Sequence, residues 1–397
     1  MPWAKHTAAS RSRASEVKIV VVLIVLATLR GTPDRNAATP KLEYSFERWR
    51  AITNSSSPPR AGDQPQIGRR NLVSLVEGVT SSEWESRRQK ILQAVLDFIG
   101  PFPADPPDLR STVLHAERLA DHIRQLVVYS GEEGELIPAY LLIPLGVTSP
   151  RPAVICQHQT VYQGKEEPAG IRGKPELAHA LELVRRGYVT LTPDCICFGD
   201  RKSPNSGHYG DAIPFYRRHP DWSIMGKLVW DIGRAIDFLQ SQPFVDPVRI
   251  GSIGHSHGAY GTLFCAAFDN RIRVAVASCG FTALRSDPTP ERWSHLTALI
   301  PRIGFYLDRI EDVPFDFHHV VALAAPRPLL IAAALDDRIF PHGESVREVA
   351  ARVREVYGLL GASEAFDTYL FPGDHNFPPE SRDRALAWID RWIGPAE

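Results

Sequence analysis

From Ala153 onward, short apolar runs alternate with longer segments whose apolar residues recur at helical spacing. The runs are Ala153–Cys156, Tyr188–Leu191, Ile250–Ile253, Val274–Ser278, Leu329–Ala334 and Thr368–Phe371. Helical spacing falls at Glu176–Arg186, Lys227–Gln240, His257–Ala267, Ser345–Leu360 and Ser381–Trp392. Unbroken apolar strands separated by helices require a parallel sheet covered on both faces. Upstream, the strand-like runs Ile123–Tyr129 and Leu136–Ile143 flank Ser130-Gly131-Glu132-Glu133-Gly134, the pattern of an antiparallel hairpin. Before them, Trp84, Ile91, Leu92, Val95, Leu96 and Ile99 mark a helix that starts after Ser81-Ser82 and stops at Gly100-Pro101. The expected fold class is α/β: a mostly parallel mixed sheet with a leading antiparallel hairpin and helices on both faces. One domain is expected from Ser81 to the C-terminus, residues 81–397.

The N-terminal pattern is different. Lys5, Arg11, Arg13 and Lys18 precede the apolar run Ile19–Leu29. That run is about half of the roughly twenty residues a membrane-crossing helix needs. A basic segment followed by a short apolar core reads as an export signal or N-terminal anchor over residues 1–38, with Asn36-Ala37-Ala38 as an imperfect cleavage site. The expected location is therefore periplasmic or secreted, or membrane-tethered if the segment is kept. Residues 39–80 are rich in Pro, Ser, Asn and Arg for much of their length and read as a linker.

Charge and cysteine usage narrow the function classes. With 45 basic and 46 acidic residues the formal charge is −1, which gives no electrostatic footprint for a nucleic-acid partner. The five cysteines are odd in number and show no zinc-site spacing, so they are expected to be buried free thiols. His318-His319 looks like part of a helical turn and lacks an evident third ligand, so no metal site is expected there.

The sharpest chemical signal is Ile250-Gly251-Ser252-Ile253-Gly254-His255-Ser256-His257-Gly258. A strand runs into Gly-x-Ser-x-Gly, and an Ala- and Leu-bearing helical segment follows at once. This resembles the elbow of the α/β-hydrolase fold, where small neighbours let a serine sit on a sharp strand-to-helix turn. Ser256 is the expected nucleophile. A serine hydroxyl needs a base and an orienting acid, which in this fold follow in the chain order Ser, acid, His. His375 lies on the Gly373-bearing loop after the last strand. The acid is Asp336 or Asp337, at the end of the Leu329–Ala334 run; Asp337 is favoured because the acid of this fold commonly stands four residues before a proline such as Pro341. Asp374 is read as a loop or capping residue. Oxyanion donors are expected from the backbone N–H of His257, at the helix start, and of Gln159, on the loop after Ala153–Cys156. The side chains of His255 and His257 are expected to turn away from the serine.

Gln157-His158-Gln159-Thr160, Gly164-Lys165-Glu166-Glu167-Pro168-Ala169-Gly170, Phe198-Gly199-Asp200-Arg201, the Gly-His-Ser-His-Gly elbow, Ala325-Pro326-Arg327-Pro328 and Gly373-Asp374-His375 occur in one order. Together they resemble bacterial α/β-hydrolases related to dienelactone hydrolases and acetyl xylan esterases, over roughly Ser81 to Trp392. Dienelactone hydrolases use a cysteine nucleophile, and Ser256 in its place points to esters. The resemblance implies hydrolysis of carboxylic esters through an acyl-enzyme, without metal or cofactor, with acetyl esters of carbohydrates as the implied substrate. Aromatics in Ser203–Trp222 and Phe281–Val313 either line the substrate pocket or plug those loops. Asp200-Arg201 is either an internal ion pair or a substrate contact. Two rival readings remain, a serine peptidase of the same fold and a hydrolase-fold binding module without catalysis. The first usually carries a propeller for which the N-terminal stretch is too short and too polar, and the second typically loses one of the three catalytic candidates.

Overall fold

The computed structural model describes residues 72–341 and 343–394. The basic–apolar leader at 1–38 and most of the linker at 39–80 lie outside the described residues. Packing begins before Ser81, because Leu72 and Leu75 are already buried in the main core. Among the described residues, no helix is long and apolar enough to cross a membrane.

Nine strands form one sheet in the order β1-β2-β3-β5-β4-β6-β7-β8-β9. They are β1 (Thr112–Arg118), β2 (His122–Ser130), β3 (Leu136–Pro144), β4 (Arg151–Gln157), β5 (Val189–Pro193), β6 (Val245–His255), β7 (Ile272–Ser278), β8 (Leu329–Ala334) and β9 (Phe366–Phe371). β1, β2, β3 and β5 pair antiparallel, and the rest of the sheet from β5 through β9 is parallel. The expected hairpin is β2–β3, with Val127 opposite Ala139. β1 had no signal in the apolar pattern, because it is an edge strand whose residues are nearly all exposed.

The helices are α1 (Trp84–Ile99), α2 (His179–Arg185), α3 (Ala212–Arg218), α4 (Ile224–Gln240), α5 (His257–Phe268), α6 (Phe317–Ala322), α7 (Gly343–Leu359) and α8 (Pro379–Ile393). Side chains alternate across a strand, and β4 divides its burial accordingly. Ala153 and Ile155 enter the core shared with α1, α4, α5 and α7, whereas Val154 and Cys156 enter the core on the opposite face, shared with α2 and α8. Both faces are thus sealed, which is why the strands read as unbroken apolar runs. From β4 the chain crosses to β5 on one side and then to β6 on the other. That reversal opens a crevice at the strands' carboxyl ends, where α/β sheets bind ligands.

A buried ion network holds the antiparallel half against α4 and the loop after β5, and a second one, open to solvent at Asp200, ties that loop to the loop after β4. In one, Arg201 reaches Glu135 at 2.5 Å and Asp231 at 2.7 Å, and Lys227 bonds the same two carboxylates. In the other, Lys165 Nζ lies 2.7 Å from Asp194 and 2.6 Å from Asp200. Asp200 and Arg201 are therefore not an ion pair with each other: adjacent in sequence, they point into separate networks. Burial works against charge on Glu135, yet Arg201 and Lys227 overcome it and hold the carboxyl down at about 2.

Candidate active site

β6 ends at His255 and α5 begins at His257, so Ser256 alone makes the turn. Its backbone has φ 56° and ψ −116°, left-handed territory that side chains other than glycine rarely adopt. Three backbone bonds fasten it: Ser256 N–H donates to Ser278 O at 2.8 Å, while Ser256 O accepts from the N–H groups of Ala259 and Tyr260. The two flanking glycines have a steric reason. A Cβ on Gly254 would stand 2.2 Å from the Gly258 carbonyl, and one on Gly258 would stand 2.3 Å from Gln157 O. The elbow closes only where those side chains are missing.

The loops after β8 and β9 bring the acid and the histidine together. His375 Nδ1 lies 2.8 Å from Asp337 Oδ2. The other oxygen, Oδ1, accepts the backbone N–H groups of Ile339 and Phe340, each at 2.8 Å, so the carboxylate is fixed in position. Asp336 turns away and ties the two loops together through Gly373, its Oδ2 accepting that residue's N–H at 3.1 Å. Asp374 lies on the loop, half-buried and paired with Arg338, whose hydrogen bond holds the carboxyl well below the usual range. The His375 ring stands 4.8 Å from the ring of His255, the residue before Ser256. It also stands 5.8 Å from Phe340, which lines the same pocket as Ser256.

The two histidines beside the serine are buried and differ in partners. His255 Nδ1 meets Ser278 Oγ at 3.0 Å, and burial followed by the charge of His375 pushes its pKa well down. The His257 Nδ1 lies 3.3 Å from Tyr209 Oη, and burial followed by His158 keeps that ring neutral too. The first amides of α5, His257 N–H among them, have no acceptor within their own helix and lie at its positive end. Gln159 sits two residues past β4 with its side chain bonded to Glu167 at 3.1 Å. Its neighbour Thr160 lines the pocket.

That pocket holds about 350 Å³ above Ser256. Tyr209 and His208 come from the 203–222 segment; Arg292, Trp293, Leu296 and Leu299 come from 281–313. Both stretches singled out for their aromatics thus supply wall residues. Arg292 is clamped by Asp287 at 2.6 and 3.0 Å and lies over the Phe340 ring. Tyr260, another wall residue, had escaped the sequence reading. It stands four residues after Ser256 on α5, and helical spacing places it on the serine's side of that helix. Its hydroxyl meets that of Tyr209 at 3.0 Å.

The remaining candidates fall elsewhere. His318 and His319 lie on α6, where His319 Nδ1 accepts the Asp316 backbone N–H at 3.1 Å in a helix cap. All five cysteines are buried and free. Cys279 is the one beside the site: its sulfur, a carboxylate oxygen of Asp337 and a ring nitrogen of His375 lie within 4.8 Å of one another.

Comparison with known proteins finds similarity to esterases. Residues 183–361 match the family model "Glucuronyl esterase, fungi". The chain is 28% identical to Carbohydrate esterase MZ0003 from an unknown prokaryotic organism, over 96% of this chain and 99% of the relative. It is 23% identical to a 4-O-methyl-glucuronoyl methylesterase of Schizophyllum commune, over 72% of this chain and 71% of that protein. A glucuronoyl esterase from Solibacter usitatus superposes with a TM-score of 0.64 at 19% identity, covering 83% of this chain and 99% of its own; at that identity the likeness concerns the fold. Sheet order and strained elbow give the chain the α/β-hydrolase fold, and the relatives it resembles are named as esterases.

Proposed function

We propose that Ser256, His375 and Asp337 form a catalytic triad that hydrolyses esters of carbohydrates. The observation that carries this reading is the 2.8 Å contact between Asp337 and His375 on loops beside the elbow that strains Ser256. His375 takes the Ser256 proton as the oxygen attacks the ester carbonyl, then gives it to the departing alcohol. The same imidazole activates the water that cleaves the acyl-enzyme. Asp337 fixes the ring tautomer and stabilises its cation. The N–H of His257 and that of Gln159 receive the oxyanion.

A carbohydrate as one half of the ester is supported by the relatives' names and by the pocket. A cavity of about 350 Å³ walled by Tyr209, Tyr260, Trp293 and Phe340 exceeds what an acetyl group fills, and aromatic walls suit a sugar ring. Among the described residues, the one arginine in that wall is paired with Asp287, which favours an uncharged ester. Acetylated sugars and methyl esters of glucuronic acid are the two substrate types to compare. We further propose export directed by residues 1–38.

The test is direct. A fluorophosphonate probe should label the purified protein at Ser256, and hydrolysis of acetyl xylo-oligosaccharides, methyl glucuronate and p-nitrophenyl acetate should disappear in Ser256→Ala. Labelling without turnover of any ester would leave a reactive serine with another substrate. Absence of both would remove the triad.

A further inference from the structure

The cluster of Cys279, Asp337 and His375 is chemically richer than an acyl-transfer site requires. We propose that it is an inhibitory site for a thiophilic divalent cation such as Zn²⁺ or Cd²⁺, which binds behind the imidazole and switches off its basic nitrogen. The inference rests on the assignment of His375 as the base.

Three kinds of ligand atom meet here. Cys279 Sγ, a carboxylate oxygen of Asp337 and a His375 ring nitrogen all lie within 4.8 Å of one another. Neighbouring ligands of a tetrahedral zinc ion lie roughly 3–4 Å apart, given metal–ligand bonds of about 2.0–2.3 Å. The site therefore needs only small side-chain shifts to close on an ion. Asp337 Oδ1 is held by two backbone amides, which leaves Oδ2 turned toward the ring nitrogen Nδ1. Cys279 is set by a left-handed backbone (φ 51°) just past β7, and its thiol donates to Asn376 O at 3.5 Å. Burial, followed by the Asp337 charge, pushes that thiol up to about 12, so it rests protonated. Water can complete the coordination, since the His375 side chain is partly exposed.

The proton balance explains the inhibition. In the resting triad the single proton of the neutral imidazole sits on Nδ1, facing Asp337, and Nε2 is free to accept the serine proton. An ion that takes Nδ1 as ligand moves that proton to Nε2, where it blocks the base. The Cys279 thiol loses its proton to solvent and becomes a thiolate ligand. One proton is released for each ion bound and no bond to carbon changes. Removal of the ion restores both protons. An ion preferring oxygen ligands, such as Mg²⁺, gains nothing from a sulfur donor and should not compete.

Two measurements test this, one of them independent of turnover. Cd²⁺ added to the Ser256→Ala protein should produce the ultraviolet charge-transfer absorption of a cadmium–thiolate bond, saturating at one equivalent. The Ser256→Ala/Cys279→Ala protein should lack it. In the active enzyme, Zn²⁺ should inhibit ester hydrolysis, a chelator should restore it, and Cys279→Ser or Cys279→Ala should raise the inhibitory concentration at least tenfold. An unchanged absorption band after loss of Cys279, or equal inhibition in the Cys279 variants, would overturn the proposal. Should Cys279→Ala fail to fold, Cys279→Ser with Mg²⁺ as the control ion carries the comparison. Failure of every ester assay would count against the triad and leave the cadmium result standing by itself.

Discussion

The two halves of the sheet bury polarity in opposite ways. On the antiparallel side, full charges are buried and answered by opposite charges, as in the Glu135, Arg201, Lys227 and Asp231 network. Around the elbow, polarity is buried in neutral form: imidazoles kept uncharged and hydroxyls bonded to one another at Tyr209 and Tyr260. A buried ion cluster fixes geometry but would fight any new charge near it. A reaction that creates an oxyanion and an imidazolium needs surroundings without competing charges, apart from the acid placed to receive the cation. The molecule keeps its large ion network in the scaffold, and Arg292 in the pocket wall is answered by Asp287.

The largest effect that can sharpen this contrast lies on the neutral side. Ser256→Ala should lower kcat for p-nitrophenyl acetate by several orders of magnitude while circular dichroism and melting temperature stay near wild type. Next, Asp337→Asn should cost roughly 10⁴-fold in kcat, as removal of a tautomer-fixing acid does elsewhere. Asp336→Asn, which loosens only a loop tie, should cost less than tenfold. The reverse ranking would exchange their roles. On the charged side, Arg201→Met strands Glu135 and Asp231 without one of their partners and should destabilise the fold by about 3–5 kcal/mol, read from chemical unfolding. Its effect on kcat in the surviving folded fraction should be small, because no reacting group is touched.

A smaller effect is a pH slope. Burial, then the charges of Arg285 and Arg352, push His318 down to about 3, and neither ring nitrogen has a hydrogen-bond partner among the described residues. Its folded pKa lies below the unfolded value near 6.5, so the unfolded chain binds the proton more readily at acid pH. The stability present above about pH 6.5 is therefore lost as pH falls toward 3, by at most about 1.4 kcal/mol per pH unit. His318→Phe should flatten that slope in urea titrations between pH 7 and 4. An unchanged slope would assign the acid sensitivity to other buried groups.

Sequence and structure agree best where a residue's role is local. The elbow could be read because strand, Gly254, Ser256, Gly258 and helix are contiguous, and the sealed faces of the sheet made β4, β7 and β8 mostly apolar runs. The choice between Asp336 and Asp337 depended on which side chain the turn after β8 aims at His375, and only coordinates carry that. The ion networks were not legible because Glu135, Arg201 and Lys227 are far apart in the chain, and their pairing follows from packing. β1 escaped because an exposed strand shows no apolar run, and the ordered start at Leu72 because two leucines in a polar stretch carry little weight. Cys279 was read as one more buried thiol; its nearness to the acid and the histidine arises from the register of β7 against β8.

The edge strand has a consequence for solution behaviour. Among the described residues no strand pairs with the outer side of β1, a template on which a foreign strand could extend the sheet, and Val113 and Leu114 are each 52% exposed there. Two features oppose such growth: the register breaks between Val113 and His115, and Glu117 and Arg118 follow at once. A bulged and charged margin cannot supply the long flat ladder that stacking demands. Straightening that margin would invite aggregation of a folded protein whose catalytic crevice was intact.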